Sequence, residues 1–240
     1  MFTLDPLDER YFLPGAEHVT IGLSPWNGRY KPRYIEALTT WARQAFGKVD
    51  VFVPGYQAAH TLVAAGFPVS EAVRRTRRTI NKLRNPALRA LTAAGEPEPE
   101  KHVLTWTQLH SRPEYQRGLA RVHEAYEHNP AVRGACRSTA RAAIDRMDSE
   151  PEITDERIDL AVGYALAELP LVLDGPEVYQ VESTMFVYHK EMELLDPFLR
   201  PGAPVRPAPG QGYAVVTDRE ENDHERRRAD PAAAVPVPAR

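Results

Sequence analysis

The feature that most restricts this chain's fold is an alternation: short apolar runs with β-branched residues, each separated from the next by stretches of helical periodicity. The runs predict strands at Val19–Leu23, Val49–Val53, His102–Trp106, Thr184–Tyr188 and Tyr213–Val216. The stretches between predict helices at Pro32–Phe46, Ser70–Arg84 with a continuation to Ala94, Pro113–His128, Pro130–Met147 and Asp155–Leu169. This order predicts an α/β chain with a mostly parallel five-stranded sheet flanked by helices on both faces. In such sheets ligands sit beyond the carboxyl ends of the strands. Helix starts are signed locally. Ser111-Arg-Pro-Glu114 reads as a capping box, Asn129 precedes a first-turn proline, and Thr154 precedes Asp155 and Glu156.

A chain of 240 residues can bury one substantial core. One domain is expected over residues 1–217. Beyond it, DREENDHERRRAD and then AAAVPVPAR predict a disordered tail over 218–240. The acidic start, MFTLDPLDERYF, lacks the layout of a signal peptide. The longest nearly apolar stretch, 160–173, is interrupted by Glu168 and Pro170 and is too short to span a bilayer. Cys136 is the only cysteine, so there is neither an internal disulfide nor a CxxC site, and a reducing cytoplasm is the expected setting. No HExxH pattern is present, and no metal is expected.

Four segments carry chemistry. The first, Gly22-Leu-Ser-Pro-Trp-Asn27, follows the first strand and sets Ser24 at the carboxyl edge of the sheet. By spacing alone such a loop is more often a plain turn. Trp26 stands where the elbow of an α/β-hydrolase needs its second glycine. The second segment puts Tyr164 and Glu168 one helical turn apart on an otherwise apolar helix, where a carboxylate is partly desolvated and its pKa rises. A core tyrosine with a glutamate at the helix end fits that spacing equally well. The third, Phe186-Val-Tyr-His189, ends a strand whose alternation sends Tyr188 to one face and His189 to the other.

The fourth segment is basic. From Ala72 to Ala94 there are seven cations (Arg74, Arg75, Arg77, Arg78, Lys82, Arg84 and Arg89) and no acidic residue. On a helical wheel Arg74, Arg75, Arg78 and Lys82 share a face, with Val73, Ile80 and Leu83 opposite. A solvated helix face usually carries compensating carboxylates one turn away, so this one points to phosphate contacts. With a net charge of −3, any contact with nucleic acid rests on such a local patch.

In order along the chain, these segments resemble the cyclodipeptide synthases, from about Val19 to Val216. Ser24 matches the family's nucleophile and Asn27 its asparagine. Tyr164 and Glu168, within Tyr-Ala-Leu-Ala-Glu-Leu-Pro170, match its paired tyrosine and glutamate. Tyr188 and His189 complete the pattern of the Asn-Tyr-His subgroup, and Tyr115, in Pro-Glu-Tyr-Gln, matches a pocket tyrosine. The resemblance implies a monomeric Rossmann-like domain similar to the catalytic domain of class I aminoacyl-tRNA synthetases. It implies two aminoacyl-tRNAs as substrates, no ATP or other cofactor, and no membrane or DNA partner. It also implies an aminoacyl group carried on Ser24, a dipeptidyl-enzyme, and release of a 2,5-diketopiperazine. In that scheme Tyr164 and Glu168 hold the amine, Glu168 acts as base and Tyr188 relays a proton.

Gly22, Phe52, Trp106, Leu171 and Phe186 match the family's first aminoacyl pocket, and Thr139–Met147 is a candidate for the second. The aromatic residues of the first pocket leave two readings open: a filled pocket for a small side chain, or stacking on an aromatic one. The basic run breaks at Asn85-Pro86, which would shift tRNA contacts toward Arg74–Arg84, with Arg89 in uncertain phase. Two other classes compete: a tRNA-binding module in which Ser24 is structural, and an acyl hydrolase lacking an identified acidic partner for His189.

Overall fold

The computed structural model describes residues 1–147 and 152–218. Six strands form one sheet: β1 (Phe2–Pro6), β2 (His18–Gly22), β3 (Lys48–Phe52), β4 (Val103–Leu104), β5 (Thr184–Tyr188) and β6 (Gln211–Asp218). Their order is β1-β6-β5-β2-β3-β4. Strands β6, β5, β2, β3 and β4 run parallel, and β1 lies antiparallel along β6. The expected five-stranded sheet is therefore corrected to six strands. The sequence Phe-Thr-Leu-Asp-Pro is too short and polar to announce a strand, and only pairing with 214–218 makes it one.

The helices are α1 (Pro32–Ala45), α2 (Ala59–Ala64), α3 (Val69–Ala93), α4 (Trp106–His110), α5 (Pro113–His128), α6 (Pro130–Asp145), α7 (Asp155–Leu173), α8 (Gly175–Tyr179) and α9 (Asp196–Leu199). Two cores sandwich the sheet. Met185 and Val187 of β5 face one, with Ile35 and Leu38 of α1 and Leu83 and Ala87 of α3. Phe186 faces the other, with α5, α6 and α7, and Tyr188 packs at its edge. Period-two alternation thus decides which face of the sheet each side chain of β5 serves.

Several local expectations need correction. The strand placed at His102–Trp106 shrinks to Val103–Leu104, because Thr105 and Gln108 form a capping box that starts α4 at Trp106. Ser111 is not the cap of α5. Arg112 holds that position without a side-chain cap, and the Ser111 hydroxyl donates to the Gln108 carbonyl at 2.7 Å. Asn129 does cap α6, its Oδ1 accepting from the N–H groups of Ala131 and Val132 at 3.0 and 3.2 Å.

Helix α3 does not break at Pro86 but runs through it to Ala93, with Pro86 buried. Its buried face is built from Ala72, Thr76, Leu83, Ala87, Ala90 and Leu91, while Val73 is exposed. Helix α7 likewise passes Leu169 and Pro170 and ends at Leu173. The hydroxyl of Tyr115 donates to the carbonyl of Ala167 at 2.8 Å, within the turn that Pro170 disturbs. The predicted tail begins at Asp218, which is the last residue of β6. The rest of that prediction, 219–240, lies outside the described residues.

Candidate active site

The carboxyl ends of β2 and β5 are adjacent, so the loops that follow them meet. Ser24 leaves β2 and Tyr188 ends β5, and their hydroxyl groups share a hydrogen bond. Next to it the Asn27 amide donates Nδ2–H to Nε2 of His189 at 2.8 Å. The same asparagine accepts from the backbone N–H of Arg29 at 3.0 Å, which fixes its amide orientation. Tyr30 donates its hydroxyl to the Gly22 carbonyl at 3.0 Å, and its ring meets the His189 ring edge-on at 5.5 Å. Between Ser24 and Asn27, Trp26 adopts φ of 57°, a left-handed conformation unusual for a bulky residue. The chain can therefore turn sharply without the elbow glycine of a hydrolase.

These groups open onto a cavity of about 490 Å³. Tyr164 and Glu168 reach it from one face of α7, together with Ala161 and Ala165. Thr139, Ala140, Ala143, Arg146 and Met147 reach it from α6 and the turn after it, and Thr61 from α2. Burial pushes the Glu168 carboxyl up to about 7, and it has no hydrogen bond or ion pair among the described residues. Burial, with Glu168 nearby, raises the Tyr188 phenol to about 12, and raises Tyr164 well above the ordinary tyrosine value. Burial and the cations Arg29 and Lys190 lower His189 to about 4. At neutral pH the site therefore holds a neutral imidazole accepting from Asn27, protonated phenols, and one carboxyl poised to exchange a proton.

The site residues expected from sequence fall into three groups. Ser24, Asn27, Tyr164, Glu168, Tyr188 and His189 converge on the cavity, as does the 139–147 segment. Gly22, Phe52, Trp106, Leu171 and Phe186 do not line it. They are packed beneath, the four side chains having no solvent exposure, with the rings of Phe52 and Trp106 4.4 Å apart. A Cβ at Gly22 would lie 2.7 Å from the Phe186 ring, so the floor is closed. Tyr115 lies in the same floor, fully buried and tied to α7.

The third group is the basic face of α3. The absence of compensating carboxylates is corrected: Glu71, one residue before the basic run, pairs with Arg75 at 2.7 Å and Arg74 at 3.8 Å. Arg89 pairs with Glu36 of α1 at 2.6 Å. Arg77, Arg78, Lys82 and Arg84 have no carboxylate partner among the described residues. Arg146 and Lys190, both on the cavity wall, were not singled out by sequence. The only sequence signals for them were adjacency to Tyr188-His189 and a place in the 139–147 segment. Among the described residues no cluster of three or more His, Cys, Asp or Glu could hold a metal ion. No helix among them is long and apolar enough to cross a membrane.

A serine hydrogen-bonded to a tyrosine at the carboxyl edge of a parallel sheet shares a cavity with a half-buried carboxyl on a Rossmann-like domain. The cyclodipeptide synthase family model matches residues 8–218, and the chain belongs to that family. It is 32% identical over 216 residues to a cyclo(L-leucyl-L-leucyl) synthase of Bacillus subtilis, covering 88% of this chain and 86% of that one. The fold superposes on a cyclodipeptide synthase of Bacillus thermoamylovorans with a TM-score of 0.82 at 25% identity, over 90% of this chain and 96% of the other. It superposes also on a Mycobacterium tuberculosis protein with a TM-score of 0.76 at 23% identity, over 90% and 93% of the two chains. That structure is described as demonstrating that cyclodipeptide synthetases are related to type I tRNA synthetases.

Proposed function

We propose that this chain makes a cyclic dipeptide from two aminoacyl-tRNAs through an acyl-enzyme on Ser24, acting without a cofactor. The observation that carries the reading is the Ser24–Tyr188 hydrogen bond at the edge of a cavity holding an unpaired, half-buried Glu168. Ser24 Oγ attacks the ester carbonyl of the first aminoacyl-tRNA, and the ribose oxygen leaves. Tyr188 passes the serine proton toward that leaving oxygen. The backbone N–H groups of Ser24 and Trp26 donate to no described residue, which leaves them available to the oxyanion.

Formation of a dipeptidyl-enzyme fixes the polarity of the next step. The amine of aminoacyl-Ser24 must attack the ester of the second aminoacyl-tRNA, since the reverse attack would leave the dipeptide on the tRNA and free the serine. Tyr164 and Glu168 hold that amine, and Glu168, ionising near neutrality, takes its proton. The terminal amine of the dipeptide then attacks its own ester to Ser24, closing the ring and returning the proton to Ser24 Oγ. Asn27 and the neutral His189 hold the loop in place, giving the Asn-Tyr-His pattern of the subgroup. The unpaired part of the α3 basic face meets the tRNA backbone, and a cytoplasmic monomer is the form in which this chemistry would run.

The test is incubation of the purified protein with a complete set of charged tRNAs, followed by mass spectrometry of protein and medium. A diketopiperazine together with an aminoacyl adduct on Ser24, both lost in Ser24→Ala, is the expected result. Protein that binds charged tRNA without ever forming the adduct would instead be the binding module.

A further inference from the structure

The turn that carries Ser24 is not held by its own backbone donors. The N–H groups of Ser24 and Trp26 donate to no described residue, and Pro25 between them has none to give. Trp26 moreover takes φ of 57°. Only one other described non-glycine residue has a positive φ, Gln180, and it closes the C-terminus of α8, where a left-handed residue is ordinary. Trp26 ends no helix, and a bulky side chain at such a φ is an outlier. Its indole N–H is a second unfavourable feature, buried without an acceptor among the described residues. Conformations of this kind persist only where the surrounding structure enforces them, and they gather at functional sites.

Two contacts enforce this one. On one side Asn27 is tied to His189, just after β5, at 2.8 Å. On the other, the Trp26 side chain packs on Ala59 and Leu62 of α2 and on Ala72 in the first turn of α3, together with Phe67 and Met147. The same side chain lines the cavity, two residues from the serine. Pro25 fixes its own φ and disfavours helical backbone at Ser24, so few soft torsions separate the serine from the indole.

We propose that Trp26 is a positioning residue of this site: its indole, anchored on α2 and α3, holds the turn in a conformation that the backbone itself disfavours and so keeps Ser24 within reach of the Tyr188 hydroxyl. This rests on the reading of Ser24 as nucleophile. Without the indole, φ at position 26 is free to return to negative values, which rotates the peptide planes between Ser24 and Asn27 and swings the serine hydroxyl off its line. A misplacement of about 1 Å at a reacting group costs on the order of 100-fold in rate.

The experiment measures single-turnover formation of aminoacyl-Ser24 in the wild type, Trp26→Gly and Trp26→Phe, with the charged tRNA that labels the wild type. Binding of the same tRNA, uncharged, is the second readout. Glycine takes positive and negative φ with equal ease, so Trp26→Gly removes the anchor without imposing a new strain. It should acylate about 100-fold more slowly. Its affinity for the uncharged tRNA, set by phosphate contacts elsewhere, should not change. Trp26→Phe keeps a ring on α2 and α3 and should recover most of the rate. If Trp26→Gly does not fold, Trp26→Leu, which keeps apolar bulk in the same cluster, must show slower acylation at unchanged tRNA affinity.

Acylation at the wild-type rate in Trp26→Gly overturns the proposal and leaves the synthase reading standing. So does a fall in rate matched by an equal fall in tRNA affinity, which a purely structural role would give, or a Trp26→Phe no faster than Trp26→Gly. A wild type that never forms acyl-Ser24 with a complete set of charged tRNAs would remove the synthase reading and this proposal with it.

Discussion

At the scale of single residues the decisive quantity is the protonation of Glu168. Its carboxyl is raised from the ordinary value to about 7 by burial alone, so it loses its proton across the neutral range. If this group accepts the proton of the attacking amine, the rate of diketopiperazine formation should rise with pH through a limb centred near 7. Glu168→Gln should remove that limb and lower the rate by two orders of magnitude or more, on the scale of a lost general base. A pH–rate profile of both proteins decides it, and an unchanged limb in the variant would assign the ionisation elsewhere. The linked stability has the opposite sense. A carboxyl whose folded pKa is raised binds its proton more tightly in the native state, so stability falls as pH climbs from the unfolded value through about 7. Glu168→Gln should therefore melt higher than the wild type at pH 8 and differ little at pH 4. The sequence showed that Glu168 shares a helix face with Tyr164. It did not show that the carboxyl lacks a partner, because that depends on α6 and the β5 loop arriving from elsewhere in the chain.

At the scale of elements, what was legible followed from local rules. Strand β5 and helix α5 have the limits that periodicity assigned, and Asn129 caps α6 as its position before Pro130 suggested. Asn129→Ala leaves two first-turn N–H groups without their acceptor and should cost about 1 kcal/mol in urea unfolding. What was not legible needed a partner. β1 exists through β6, α3 survives Pro86 through its packing on α1, and the start of α4 depends on which of two nearby cap sequences closes.

The same applies to a polar cluster at the opposite end of the sheet. Asp50 of β3 accepts from His102 at 2.8 Å and contacts His18 of β2 at 3.2 Å, and His18 in turn meets Thr184 of β5 at 2.6 Å. Hydrogen bonding to Asp50 raises the pKa of His102. Burial would raise that of Asp50, but its bonds to the two histidines outweigh burial and lower it. The His102 contribution to stability is complete below its unfolded pKa and is lost as pH rises through the folded one. The Asp50 contribution is lost as pH falls through its own depressed value. His102→Gln should thus flatten the decline in melting temperature between pH 6 and 8. An equal decline in both proteins would show that the cluster is not what titrates.

At the scale of the whole molecule, the sheet divides two kinds of surface. The cavity at Ser24 opens at the carboxyl ends of β2 and β5, on the side of α6 and α7. The cationic helix α3 packs with α1 on the other core. The chain carries a net charge of −3, so attraction for a polyanion has to come from where its cations are unpaired rather than from their number. Arg74, Arg75 and Arg89, three of the cations the sequence offered, are already paired to Glu71 or Glu36. That leaves Arg77, Arg78, Lys82 and Arg84 on α3 as candidates for phosphate contact, with Arg146 and Lys190 at the cavity. Neutralising Arg78 and Lys82 together should weaken charged-tRNA binding across all tRNAs alike. It should also reduce the slope of log affinity against log salt by about 1 for each phosphate that the protein no longer neutralises. Glu71→Gln should act the other way, releasing Arg75 and steepening the slope. Binding isotherms over a range of salt concentrations measure both effects, and acylation of Ser24 by a small phosphate-free aminoacyl ester provides the control. If the double variant slows that small ester as much as it slows tRNA, α3 supports the fold of the site and does not hold the nucleic acid.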